Sequence, residues 1–380
     1  MSSREYLRQL PSHQRGPSNR DLAFRLHIDA PLLAGLLAVM AYGMFILYSA
    51  GGEDINLLIR QSMRFLVGFT VMFVLAQFPP RTFRFWTPVL YVIGLTMLVL
   101  VLLVGIEAKG AQRWLYIPGF GRFQPSEMMK IGVPALVAWF FRDRALPPSL
   151  RDVAIALTIV IVPAILIGKQ PDLGTALLIA MSGLVILFMA GLSWRVIGAA
   201  VAFVAVAAPM MYFHVMHDYQ RRRVDTFLNP EADPLGAGWN IIQSKTAIGS
   251  GGIDGKGWLN GTQSRLDFLP ESSTDFIFAV LAEELGLLGI LLLFSLYLFI
   301  IGRCLWISYH AQDLFSRLLG AGLAITFFIY ILVNVGMVSG LLPVVGVPLP
   351  LISYGGTSIV TLLAGFGILM SIHTHRRLIG

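Results

Sequence analysis

A single cysteine, Cys304, stands in the whole chain, which excludes disulfide stapling and any cysteine-rich metal site. Charge is scarce too. Only 13% of the 380 residues are Asp, Glu, Lys or Arg, against 56% hydrophobic ones, a balance far from that of a soluble protein. No polar stretch of ordinary domain length interrupts the apolar runs that recur from Pro31 almost to the last residue. The first thirty residues are polar and Arg-rich but lack a small-residue cleavage signature, so they read as a retained tail. His214 and His217 have no further His or Cys nearby to complete a zinc tetrahedron, and His373 and His375 sit in a basic tail. A Gly-x-Ser-x-Gly elbow, a zincin helix and a Rossmann fingerprint are all missing, and nothing points to nucleic acid. The run Gly249–Gly257 resembles a phosphate-binding loop, but Ser250 stands where its first glycine belongs and Gly257 where Ser or Thr belongs. It reads as a flexible loop.

What is present is hydrophobic length. Stretches at about 31–50, 63–79, 86–104, 126–142, 152–168, 173–191, 194–214, 276–302, 318–338 and 352–374 can each cross roughly 30 Å of hydrocarbon as a helix. The expected fold is therefore an all-α polytopic membrane protein of about ten helices. Residues 1–30 would form an N-terminal tail, 31–374 one transmembrane domain, and 375–380 a C-terminal tail. Sorting the Lys and Arg of the short loops puts Arg81, Arg84, Arg142, Arg144, Arg151, Arg195, Arg303, Arg317, Arg376 and Arg377 on one side with the N-terminal tail. Both termini are then cytoplasmic. The 51–62 and 105–125 loops, the turn at 168–172, the large 215–275 segment between helices 7 and 8, and the Pro-rich 339–351 loop lie outside. Lys109, Arg113 and Lys130 sit against the usual charge bias in a short loop, which suggests an anionic ligand such as phosphate or pyrophosphate.

Polar residues bordering the spans are the candidate chemistry. Pro125-Ser126-Glu127-Met128-Met129-Lys130 opens a helix with Glu127 and Lys130 on one face, either a structural ion pair or a ligand or metal site. Gly168-Lys169-Gln170-Pro171-Asp172 presents Lys169 and Asp172 at an outer boundary, where Asp172 either caps a helix or serves a site. Asp267, Glu271 and Asp275 precede an apolar helix that also carries Glu283 and Glu284. Asp275 either caps that helix or, poised at the apolar boundary, acts as a general base; Glu283 and Glu284 lie deeper, need internal partners and read as structural. Finally, the apolar but Pro- and Gly-broken run Leu342–Thr357, which contains Ser353, cannot expose its amides to lipid and must pack on protein or line a cavity.

In their order along the chain, these stretches resemble the SEDS (shape, elongation, division and sporulation) family. The resemblance is carried by Lys109-Gly110-Ala111-Gln112-Arg113-Trp114-Leu115 with Gln124–Lys130, by Lys169–Thr175, by Leu269–Gly286 and by Pro348–Gly356. Val345-Gly346-Val347-Pro348-Leu349-Pro350 looks more like the elongation branch than the division branch. The resemblance implies a peptidoglycan glycosyltransferase in the bacterial cytoplasmic membrane, polymerising lipid II at the outer face for cell elongation and rod shape. Asp275 matches the family's aspartate that deprotonates the acceptor 4-hydroxyl. Lys130, Glu127, Trp114, Arg113, Lys109, Lys169, Asp172, Glu271 and Ser353 are the expected substrate-binding residues. The lipid-linked pyrophosphate leaving group would be stabilised by cations, either side chains or a divalent Mg or Mn ion, and no organic cofactor is expected. Implied partners are lipid II and the nascent glycan strand, a class B penicillin-binding protein supplying transpeptidase activity, and other membrane proteins of the rod complex. One residue departs from the pattern: Ser273 stands where the family often has histidine, so Asp275 must act without that group. Competing readings are a lipid II flippase, since broken backbone and intramembrane polar groups also mark translocation routes, and a non-catalytic scaffold.

Overall fold

In lipid every backbone amide must be satisfied within its own segment, so the apolar runs can persist only as helices. The computed structural model describes residues 26–108, 111–117, 121–214, 216, 218–229, 231, 238–265 and 271–375, and it bears this out. In chain order the helices are α1 (Ala30–Ala50), α2 (Ile55–Gln77) and α3 (Pro80–Val104), then α4 (Pro125–Phe141), α5 (Leu150–Lys169), α6 (Leu173–Met189) and α7 (Trp194–His214). Three shorter helices follow, α8 (Asp218–Leu228), α9 (Trp239–Gly251) and α10 (Thr262–Arg265), before α11 (Ile277–Tyr309), α12 (Leu314–Val338) and α13 (Thr357–Thr374). Eight of these, α1, α2, α3, α5, α7, α11, α12 and α13, are long and apolar enough to cross a membrane. α6 is apolar at 17 residues, and α4, also 17 residues, carries Glu127 and Lys130. The protein is an all-α polytopic membrane protein.

Local chemistry sets where the helices begin, and it moves several boundaries away from the hydropathy reading. α2 starts at Ile55 rather than 63 because the Asp54 carboxylate accepts from Asn56 N–H and caps it. α3 starts at Pro80 rather than 86, with proline in the first turn where no N–H is needed. Ser149 and Asp152 make a reciprocal capping box at the head of α5. α13 begins at Thr357 rather than 352, so Ser353 lies in a turn ahead of the helix. The 105–125 loop is a small antiparallel meander, β1 (Ile106–Ala108), β2 (Ala111–Ile117) and β3 (Gly121–Phe123) in that order. Its central strand carries Trp114-Leu115-Tyr116-Ile117, residues that fit a half-buried pleated surface better than a coil. The 215–275 segment is likewise structured where described, holding α8, α9 and α10.

α13 packs along α2, and α11 packs against α1, α9 and α12. α12 is buried through most of its length, with Phe327, Tyr330, Ile331, Val333 and Asn334 all inside. α7, by contrast, has exposed side chains all round, as expected of a helix surrounded by lipid (Val201 64%, Phe203 72%, Phe213 68%). Cys304 is buried, a small apolar filler.

At one end of the bundle Asp29 caps α1 by accepting from Leu32 N–H at 2.9 Å. The same carboxylate takes Arg303 in two hydrogen bonds, Nη2 at 2.6 Å and Nε at 3.1 Å, and lies 3.3 Å from His373 Nε2. The head of α1 is thereby tied to the tails of α11 and α13. The candidate chemistry lies at the other end.

Candidate active site

At 33 residues α11 would run about 50 Å as a straight helix, longer than a bilayer's hydrocarbon is thick. It is broken instead. Gly286 sits at φ 61°, ψ −158°, a conformation open to glycine and closed to residues with a Cβ, and it separates a buried stub, 277–285, from the long remainder. The helix hydrogen bonds lost at the break are replaced by the glycine-rich run that resembled a phosphate loop. Lys256 N–H donates to Glu283 O at 3.0 Å and Gly257 N–H to Glu284 O at 2.9 Å, while Leu287 and Leu288 N–H reach back to Gly252 O and Ile253 O. Glu283 is wholly buried; its carboxylate accepts from Lys256 Nζ (2.6 Å), Thr262 Oγ1 (2.8 Å) and Thr262 N–H (2.9 Å). Ser49 Oγ donates to Glu284. Both glutamates are structural, clamping loop to stub.

The stub presents Asp275 at its head. Asp275 does not cap α11: Phe276 occupies the cap position and no side chain closes that end. The preceding turn is built by Glu271, whose carbonyl accepts from Thr274 N–H (3.0 Å) and whose carboxylate accepts from Thr274 Oγ1 (2.7 Å). Across from this turn runs the Pro- and Gly-broken segment before α13, whose Val347, Leu349, Leu351 and Ile352 are buried, the packed wall its composition required. Five hydrogen bonds build the seam between wall and turn. Tyr354 N–H donates to Ser273 O (2.9 Å), Ser353 Oγ donates to Thr274 O (2.5 Å) and accepts from Leu349 N–H (2.8 Å), and the Asn334 amide of α12 donates to both Asp275 O (2.9 Å) and Val347 O (2.7 Å). Ser353 is 2% exposed and spends its hydroxyl on these contacts, so here it shapes the site rather than faces a substrate. Ser273, where histidine was expected, contributes its backbone carbonyl to the same seam. From α2, Gln61 Nε2 donates to Ser353 O (3.1 Å), and the Arg64 guanidinium lies 4.0 Å from the centre of the Tyr354 ring.

Residues 345–347 are where the separate motifs meet. Gly346, at φ 70°, faces Asp275 so closely that a Cβ there would come 3.4 Å from Oδ2. One residue earlier, Val345 O lies against Gly174 in the first turn of α6. One residue later, Val347 packs in a small apolar cluster with Tyr330 of α12.

The first turn of α6 brings Asp172. It caps that helix, accepting from Thr175 N–H at 3.2 Å, and is also bound by Gln124 Nε2 (3.2 Å) and Arg113 Nη1 (3.7 Å). Arg113 further donates to Pro171 O (2.5 Å) and Gln170 O (3.4 Å), which fastens the meander to the α5–α6 turn. Asp172 is thus the helix cap of the first alternative, with Gln124 and Arg113 as further internal partners. Tyr330, in turn, brings Lys130, whose Nζ lies 5.2 Å from the centre of its ring and 2.5 Å from Glu127 Oε1. Glu127 is 5% exposed. Tyr330 and Asn334 are one turn apart on the same face of α12, so a single helix connects the Asp275 turn with the Lys130–Glu127 pair.

Beside that pair opens a cavity of about 790 Å³ between α2, α3, α4 and α13. Glu127, Phe123 and Thr357 mark its upper end; Leu75, Phe78 and Ile368 mark the lower, and its walls are almost entirely apolar. Ser126 Oγ, Glu127 Oε2 and Asn334 Oδ1 are buried without a partner among the described residues, the kind of polar atom that a ligand or water satisfies.

Not every expected residue joins this constellation. Trp114 is half-buried in β2, and the meander rests on the ends of α3 and α4. Lys169 is exposed at the last turn of α5, where a cation complements the helix carbonyls, and Glu271 is exposed in its turn. Lys109 and Asp267 lie outside the described residues. Asn334, Tyr330, Gln124, Gln61 and Arg64 escaped the sequence reading; a lone amide within Ile331-Leu332-Val333-Asn334-Val335 and an arginine inside α2 were the available signals. No three His, Cys, Asp or Glu among the described residues gather into a metal-holding group, and Glu127 and Asp172 are already engaged by cationic or amide donors. The Mg or Mn ion that the resemblance suggests thus finds no ready carboxylate set, and the chemistry below is derived without it.

This is a helical membrane protein with a half-buried carboxylate at the head of a broken helix, joined through α12 to a Lys130–Glu127 pair that borders an apolar cavity. The chain belongs to the family of cell cycle proteins that comprises FtsW, RodA and SpoVE, which it matches over residues 23–378. It is 54% identical to the peptidoglycan glycosyltransferase MrdB of Escherichia coli (strain K12) over 363 residues, 96% of this chain and 98% of that one. Its fold is similar to a chain of a peptidoglycan synthase complex, solved for its coordination of polymerization and crosslinking, with a TM-score of 0.81 and 32% identity over 92% of this chain and 98% of that one. It is also similar to the rod shape determining protein RodA of Thermus thermophilus, with a TM-score of 0.69 and 29% identity over 92% of this chain and 98% of that one.

Proposed function

We propose that this chain is a peptidoglycan glycosyltransferase of the elongation branch, with Asp275 as the general base. The observation that carries the assignment is the convergence on residues 345–347: Asp275 against Gly346, the first turn of α6 that Asp172 caps against Val345, and Tyr330, whose ring Lys130 faces, against Val347. In the reaction, Asp275 takes the proton from the 4-hydroxyl of the acceptor sugar. The freed oxygen attacks the anomeric carbon of the donor, the new glycosidic C–O bond forms, and the donor's bond to pyrophosphate breaks. Undecaprenyl pyrophosphate carries away the electron pair, and Lys130, Arg113 and Arg64 are the cations assigned to the charge that builds on it. The apolar cavity beside Glu127 has the depth and lining for a polyprenyl chain whose head stays at the polar end.

The loop charges support ten spans with both ends in the cytoplasm, which puts this end of the bundle on the periplasmic face of the cytoplasmic membrane. The partner is a class B penicillin-binding protein that crosslinks the strands made here, alongside other membrane proteins of the rod complex. The cavity also bears on the flippase reading. Glu127 is the one charged residue that lines it, in a wall otherwise apolar but for scattered threonines, whereas a route for a disaccharide-pentapeptide needs strongly polar groups throughout. The test is polymerisation of purified lipid II by the purified protein with its partner, for wild type and Asp275→Asn. Long strands from wild type and none from the variant are expected; long strands from Asp275→Asn would sink the base assignment. Transport of labelled lipid II across proteoliposomes that survives this substitution would favour the flippase.

A further inference from the structure

The backbone beneath the Asp275 carboxylate is held by the seam with the wall. Tyr354 and Ser353 secure residues 273 and 274, and at residue 275 the carbonyl takes the carboxamide of Asn334. Its two N–H hydrogens go to two carbonyls on opposite sides of the site, Asp275 O at 2.9 Å and Val347 O at 2.7 Å. Asn334 is 0% exposed within an otherwise apolar helix, and its Oδ1 is buried without a partner among the described residues. An unpaired buried acceptor costs stability. A residue retained at that cost only to fill space would be better replaced by leucine.

We infer that Asn334 is a positioning residue that fixes the spacing between the Asp275 carboxylate and the Gly346 wall by bridging Asp275 O and Val347 O. This rests on the glycosyltransferase reading above. Asn334 has a second consequence through its helix, because Tyr330 lies one turn away on the same face and packs on both Val347 and Lys130. The bridge therefore sets the carboxylate against the cationic side of the site as well as against the wall. Serine or aspartate could not replace it, since neither brings two N–H hydrogens to the two carbonyls.

The experiment compares full-length wild type, Asn334→Leu, Asn334→Asp and Ser244→Ala, each with its partner and purified lipid II. Asn334→Leu removes the bridge; Asn334→Asp keeps the volume and polarity but loses the paired donor. Ser244→Ala removes a different buried tie to the same helix, Ser244 Oγ to Val338 O at 2.8 Å, and controls for loss of a hydrogen bond as such. Expected are a fall in turnover on the order of tenfold to a hundredfold for both Asn334 variants, with KM for lipid II within about twofold of wild type. The acid limb of the rate profile, where the base becomes protonated, should move by about half a pH unit or more in both and stay put in Ser244→Ala. Turnover and acid limb unchanged in Asn334→Asp would overturn the inference even if Asn334→Leu failed to fold. So would a fall in turnover that Ser244→Ala reproduces with the same loss of thermal stability. If wild type itself made no strands, the glycosyltransferase reading would fall, and this inference with it.

Discussion

Both ends of the bundle hold a buried carboxylate gripped by a cation, yet the two are built to opposite ends. At one end Asp29 is saturated: it caps α1, takes Arg303 through two hydrogen bonds and meets His373, while Arg303 stacks over Trp306 at 4.2 Å. At the other end, on the side of Asp275, Glu127 spends one oxygen on Lys130 and leaves the other, with Ser126 Oγ and Asn334 Oδ1, without a partner among the described residues. A closed ion cluster joins helices. An incompletely satisfied one beside an apolar cavity has capacity for something else. The default that an intramembrane ionisable residue is functional therefore needs a second criterion, and the comparison supplies it: whether an unengaged polar atom belongs to a residue that lines a cavity, as Glu127 does.

The largest effect that tests this contrast is at Asp275. Removing a general base without changing shape typically costs on the order of 10²–10⁴ in rate, so Asp275→Asn should abolish measurable strand formation while the protein remains monodisperse in detergent. Next comes Lys130. Lys130→Met leaves Glu127 charged and buried, which should destabilise the fold by about 3–5 kcal/mol, read as a drop in the detergent melting midpoint. The double variant Glu127→Gln with Lys130→Met should recover most of that loss and none of the polymerisation. Recovery of both would make the pair structural, like its counterpart at Asp29.

The Asp29 cluster should behave in the reverse way. Arg303→Met strands Asp29, which is 2% exposed, and should lower stability by about 2–4 kcal/mol, somewhat less than at Lys130 because Arg303 is itself partly hydrated. Turnover per folded molecule, measured against active protein after size-exclusion, should stay within about twofold of wild type. A selective fall in turnover would show that the two ends are coupled.

Composition was enough to read the fold class, since hydropathy follows directly from residue type and the bilayer leaves helices as the answer for these runs. Helix starts were less legible: Asp54 and Pro80 signal α2 and α3, but a hydropathy window averages over them. The broken helix could not be read. Nothing in Glu283-Glu284-Leu285-Gly286 states that Gly252–Gly257 will supply the missing hydrogen bonds, because that partnership is a long-range backbone contact. For the same reason the glycine run looked like a nucleotide motif gone wrong. The site itself was legible as separate stretches with the right chemistry, while their meeting at 345–347 depends on close approaches at Gly174 and Gly346 that a one-dimensional pattern does not encode. Ser353 shows the limit most clearly, since its residue type suits a substrate contact and its surroundings commit it to the seam.

The smallest effect sharpens the comparison from the Asp29 end, beyond the spans. His27 stacks on His375 with ring centroids 4.0 Å apart and shares a hydrogen bond with Thr374 Oγ1 at 3.1 Å, which clips the chain ahead of α1 to the tail of α13. Partial burial, and then the neighbouring His375, lower the His27 imidazole below its ordinary range. A histidine whose folded pKa is depressed favours the fold while neutral. Its contribution is complete above the unfolded value of about 6.5 and is lost as pH falls through the folded one, because the unfolded chain takes up the proton first. Melting midpoints of wild type and His27→Gln, followed from pH 7.5 to pH 5, should therefore differ most at the neutral end and converge as the medium is acidified. A gap that stays constant or widens toward acid would mean that the stack holds a proton instead of excluding one, and that this end of the bundle, too, keeps an unspent charge.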